Sequence, residues 1–140
     1  MVLAIAGLIF LVVFEALPGL QASRRDNQRK RNAEEIFSLA LEYQSNSGNV
    51  LTNAQMVSAF AATPSDVFSS YVTASAFEDP SGVAYVAEST PTNPATEGRF
   101  LFDSGRLCDA NNSALTATGA SATNMALIMR LERGFYCIDG

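Results

Sequence analysis

Apolar residues fall along this chain in three regimes. From Met1 to Phe14 the sequence MVLAIAGLIFLVVF holds no charge and no polar side chain. Around residues 36 to 43, Ile36, Leu39, Ala40 and Tyr43 recur at helical spacing on one face, widened by Phe37 and Leu41. Beyond residue 77 the period shortens towards that of strands. The first two regimes predict one long helix from Met1 to Gln44, apolar all round in front and on one side only behind. A helix apolar on every side is stable only in lipid or against other protein, because water cannot solvate it. The rest of the chain, about 110 residues, is enough for one core and not enough to bury that helix as well.

Past the helix, Ser45 to Asn49 (SNSGN) supplies a stop, with Gly48 as the break. Thr52 with Gln55 has the form of a capping box and opens a short helix to about Ala61. Thr63 to Asp66 reads as a turn or a second cap, and Phe68, Tyr71 and Val72 as one face of another short helix. Glu78 to Gly82 (EDPSG) is a turn by composition. Strands are expected at Val83 to Glu88, Arg99 to Asp103 and Met125 to Glu132, the last turning through Arg133 and Gly134 into Phe135 to Ile138. Ser89 to Gly98, with two prolines, and the Ser, Thr, Asn and Ala tract from Asp109 to Asn124 read as exposed loops. The expected class is α+β, a long helix packed on a small antiparallel sheet. Residues 1–23 form the apolar helix and residues 24–140 a globular domain that includes the helix's rear half.

The apolar run is short for its setting. Fourteen residues at about 1.5 Å each cover roughly 21 Å, against the ~30 Å of a hydrocarbon core. Continuing to Leu20 supplies the length but brings in Glu15, Pro18 and Gly19. A signal peptide fits poorly, since no basic region precedes the run and no small-residue cleavage site follows it.

MVLAIAGLIF, a proline shortly after, and a charged helix ending in LEYQSNSGNV together resemble the N-terminal region of type IV pilins and their pseudopilin relatives. The resemblance covers about the first 50 residues, and the ending ALIMRLERGFYCIDG matches the family's disulfide-closed C-terminal region more loosely. It implies a structural subunit whose apolar helix sits in the membrane and later packs in the core of an extracellular filament. Val2, Leu3, Ile5, Leu8, Ile9, Phe10, Leu11, Val12 and Phe14 would make that packing. The family's processing signature and early glutamate are missing, and Ile5 stands fifth. The chain is therefore expected to begin several residues inside a mature protein. In filaments of this kind the region is often stretched out of helix, so a break is expected between Gly7 and Pro18, beside Gly19, with regular helix resuming by Arg24.

Charge divides the molecule. Arg24, Arg25, Arg29, Lys30 and Arg31 hold five of nine basic residues, whereas from Asn32 onward four basic residues face twelve acidic ones. That acidic surface argues against nucleic acid as a partner. The basic run reads as a solvated helix face or as a contact for anionic headgroups. Taken alone it would place the domain in the cytoplasm by the positive-inside rule, while a basic leader, as pilins carry, would reverse the orientation. Glu15, alone in the apolar stretch, lies at headgroup level or meets Arg24, Arg25 or Arg29 of a neighbouring subunit, where it would select a register.

Cys108 and Cys137 are the only cysteines. Beside an export or membrane segment they favour a disulfide outside the cytoplasm, with unpaired core thiols or a reactive pair as alternatives. Histidine is absent, and so are the glycine-rich phosphate loops, HExxH and GxSxG. Glu34 with Glu35 and Glu78 with Asp79 read as solvated pairs. Asp103, Asp109 and Asp139 are the one trio that folding could bring together around calcium, and Asn111-Asn112-Ser113 fits a glycosylation acceptor. No enzyme, cofactor or metal is expected. The partners expected are further copies of the chain, the membrane before assembly and the pilus assembly machinery. The competing functions are a secretion-system pseudopilin and a monomeric membrane-anchored binding domain.

Overall fold

The computed structural model describes all residues from Met1 to Gly140. Helix α1 runs from Val2 to Ser47, 46 residues and about 69 Å at 1.5 Å per residue. Its buried residues are Ala22, Asp26, Arg29, Ala33, Ile36, Ala40 and Tyr43, successive three- and four-residue steps along one face, with Phe37 beside Ile36 widening it. Leu39 is partly covered, and Leu41, expected to widen the face, is exposed. The helix stops where the glycine stands: Gly48 is left-handed at φ 69°, and its amide donates to the Gln44 carbonyl. Helix α2, Asn53–Ala59, opens with the expected capping box, in which Thr52 and Gln55 satisfy each other's backbone amides. Val67–Ser70 and Ala74–Ala76 are 3-10 turns, the first burying Phe68 beneath Tyr43 and Tyr71.

Six strands follow: β1 Val86–Ala87, β2 Arg99–Ser104, β3 Leu107–Cys108, β4 Leu115–Thr116, β5 Met125–Leu131 and β6 Gly134–Asp139. The main sheet has the order β1-β2-β5-β6, and β3 with β4 makes a separate two-stranded ribbon. The three long strands are antiparallel as expected. At one edge, however, β1 pairs parallel to β2, so the sheet is mixed. The strand expected over Val83 to Glu88 shrinks to two residues, because Ala84 bridges back to Glu78 and Tyr85 turns into the core. The β5–β6 turn is Glu132-Arg133, one residue earlier than expected. Leu131 pairs with Gly134, whose φ of 93° suits glycine.

Alternation along the strands gives the sheet two apolar faces. Phe100, Phe102, Met125, Leu127 and Met129 meet α1 and α2 in the main core. Leu101, Ile128 and Cys137 point the other way, where Cys108, Leu115 and Phe135 cover them. Cys108 and Cys137 form a disulfide, with their Cα atoms 5.9 Å apart, which fastens the β3–β4 ribbon to that outer face. The tract from Asp109 to Asn124, read as a plain loop, thus contributes a strand of its own.

Candidate assembly surface

Two features of α1 define the candidate site, a bare front half and a clamped rear half. All nine residues expected to pack in a filament core are exposed, from 59 % at Ile9 to 89 % at Leu3. Val13, Leu17 and Leu20 are exposed as well, and the first buried residue is Ala22. This is one helix long and apolar enough to cross a membrane, and within the chain nothing covers it. The helix is unbroken through Gly7, Pro18 and Gly19, so the expected break is not a property of the lone chain. Pro18 has no amide to donate back along the helix, a local defect. Around it only the end of the Arg133 side chain comes near, 3.8 Å from a Cβ placed at Gly19, and the flanking turns hold the segment helical.

Arg29 clamps the rear half. Its guanidinium is 2 % exposed and grips Asp79 with both edges, Nε to Oδ1 at 2.5 Å and Nη2 to Oδ2 at 3.0 Å. Its Nη1 donates to Asp26 Oδ1 at 3.1 Å and to Glu132 at 3.3 Å. Asp26 also accepts the Glu132 amide at 2.9 Å, and Arg25 pairs with Glu132. One arginine thereby fastens the helix to the 78–82 turn and to the β5–β6 turn. Burial pushes the Asp79 carboxyl up, but hydrogen bonds from Arg29 and Ser81 outweigh it and hold the group below its ordinary range. The hydrogen bond to Asp79 raises the Arg29 pKa despite desolvation, and the hydrogen bond from Arg25 lowers that of Glu132.

Two expectations change here. Arg29 is not free for a neighbour's Glu15, since three carboxylates of its own chain occupy it in a site closed to solvent. Arg25 is engaged too, leaving Arg24 as the one arginine of the three without a carboxylate partner in its own chain. Asp79, read as a solvated turn residue, is 2 % exposed. The signal for Arg29 was in the sequence: it lies four residues before Ala33 and seven before Ile36, on the apolar face, where a cation needs an anion. That the anion would be Asp79, 50 residues on, was not legible. Nor was Arg133, which reaches from the β5–β6 turn to 3.8 Å of a Cβ placed at Gly19, one helical turn from Glu15.

Asp103, Asp109 and Asp139 do not converge, and no group of three such side chains is placed to hold a metal ion. Asp103 pairs with Arg106, Asp109 caps its own loop through Ser113 and Ala114, and Asp139 accepts the Cys108 amide. No protein family model, curated protein or solved structure matches this chain.

Proposed function

We propose that this chain is the structural subunit of an extracellular filament of the type IV pilus kind, assembled through the apolar half of α1. The observation that carries the reading is the bare helix from Val2 to Phe14, continuous with a helix locked onto a disulfide-bonded domain. Each Val, Leu, Ile or Phe moved from full exposure to full burial contributes about 1.5–3 kcal/mol, so the nine largely exposed ones here drive the chain into a membrane or into a bundle of its own copies. The disulfide supports an oxidising compartment for the domain. The membrane would hold the subunit before assembly, and dedicated machinery would extract it.

In this reading the chain's work is mechanical, in adhesion, surface motility or uptake, and no catalysis is assigned to it. Stretching between Gly7 and Pro18 would occur on assembly, when neighbours supply new contacts. Electron microscopy of cells producing the full chain, with antibody labelling, tests the proposal. Long labelled surface fibres support it. Short periplasmic fibres would instead mean a secretion pseudopilin, and dispersed membrane label without fibres would mean an anchored binding domain.

A further inference from the structure

The outward face of α1 carries a charge pattern that the buried clamp does not use. Arg24, Arg31, Glu35 and Glu42 are all exposed, and none has an ion partner in its own subunit. At about 100° per residue they fall within roughly 40° of one another around the helix, a single stripe reading basic, basic, acidic, acidic. Gln28 and Ser38 flank the stripe on either side with uncharged side chains.

The spacing is self-complementary. Glu35 lies eleven residues after Arg24, and Glu42 eleven after Arg31. A parallel copy displaced by eleven residues, about 16 Å along the axis, sets both of its arginines level with both glutamates of the first. An antiparallel copy also matches, with Arg24 opposite Glu42 and Arg31 opposite Glu35. The apolar half decides between them. Parallel copies bring their bare Val2 to Phe14 segments to the same end, where at this displacement one copy's segment lies beside the exposed Val13, Phe14, Leu17 and Leu20 of the other and both can share a bilayer, whereas antiparallel copies leave both in water.

We infer that this stripe is the docking surface for a second copy of the chain and sets the axial register of assembly at eleven residues. The inference rests on the filament reading above. After a parallel match each copy still offers arginines to one neighbour and glutamates to another, so the contact is heterologous and does not close on itself. The ion pairs are exposed and individually weak, and their effect is choice of register while the apolar segments supply affinity. An arginine's five N–H donors let Arg24 serve Glu35 of one neighbour and Glu15 of another.

Cysteine pairs in the full chain, oxidised with copper phenanthroline in detergent or membranes, test this. Arg24→Cys with Glu35→Cys should give a ladder of dimers, trimers and higher species on non-reducing gels. Arg24→Cys with Glu42→Cys should give little. Dimers alone from the second pair would overturn the parallel register in favour of an antiparallel contact. If neither pair crosslinks while the wild-type chain still forms fibres, the stripe is wrong and the filament reading stands; if the wild type forms no multimers at all, that reading fails first.

A charge test complements it. Glu35→Arg with Glu42→Arg should lower the assembled fraction roughly tenfold, and adding Arg24→Glu with Arg31→Glu should restore most of it. If Arg24→Glu with Arg31→Glu loses binding to phosphatidylglycerol vesicles, and the fourfold swap restores no assembly, the basic half of the stripe serves lipid and the proposal is overturned.

Discussion

Replacing Arg29 by Met removes the cation at the centre of the clamp and leaves Asp79 and Asp26 buried without it. Asp79 keeps the Ser81 amide at 2.9 Å, and Asp26 keeps the Glu132 amide, so neither carboxylate is wholly orphaned. Breaking a buried pair from one side costs about 3–5 kcal/mol, and the surviving amide bonds place Arg29→Met near the lower end, at about 3 kcal/mol. Asp79→Leu strands Arg29 less, because Asp26 and Glu132 remain at 3.1 and 3.3 Å, and about 2–3 kcal/mol is expected. The double variant should recover about 2 kcal/mol relative to the sum of the singles, since two groups in contact do not act additively. Urea unfolding of the full chain in detergent, read by the near-ultraviolet dichroism of buried Tyr43 and Tyr85, measures all three. If Arg29→Met costs under about 1 kcal/mol, or the double variant is additive, Arg29 does not hold the helix to the domain as described.

Acid should loosen the same clamp. The Asp79 and Glu132 carboxyls titrate below their ordinary values of 3.8 and 4.5, so their contribution is complete above those values and is lost as pH falls through the lower folded ones. The urea midpoint should therefore drop steeply only below about pH 4, and less steeply in Asp79→Asn. Reducing the Cys108–Cys137 bond, or making Cys137→Ser, opens a cross-link spanning 29 residues and should destabilise the domain by up to about 3.6 kcal/mol in the chain-entropy model, with membrane insertion unchanged in fractionation. Thr52→Ala removes the α2 cap and should cost about 1 kcal/mol in the same unfolding assay. Glu15→Gln should leave insertion intact while lowering fibre number; wild-type fibre counts with unchanged resistance to salt and shear would assign Glu15 to the headgroup level instead.

The long helix, its glycine stop, the capping box and the three long strands were legible because each is set by residues close in sequence. Thr52 and Gln55 satisfy one another three positions apart, and Gly48 ends α1 by its own backbone freedom. The disulfide was legible because only two cysteines exist. The parallel edge strand was not. Val86 pairs with Arg99 across a connection with no helix in it, and nothing local to VAYVAE announces it. Asp79 shows the same limit at the site: EDPSG describes a solvated turn until a helix 50 residues upstream lays an arginine on it. The charge stripe was present in the residues all along. What the sequence lacked was knowledge that Arg29, unlike Arg24 and Arg31, is already taken.

The position of the disulfide bears on how the molecule would carry tension. It fastens the β3–β4 ribbon to the face of the sheet turned away from α1, whereas the clamp ties α1 directly to the turns at residues 78–82 and 132–133. A pull on the apolar half would enter the domain through Arg29, whose noncovalent bonds would be sheared along the helix axis, while the covalent link stands off the line of force. The part that yields first would then be reversible. A strained molecule could let its helix slip and reseat, while the disulfide keeps the ribbon over the sheet throughout.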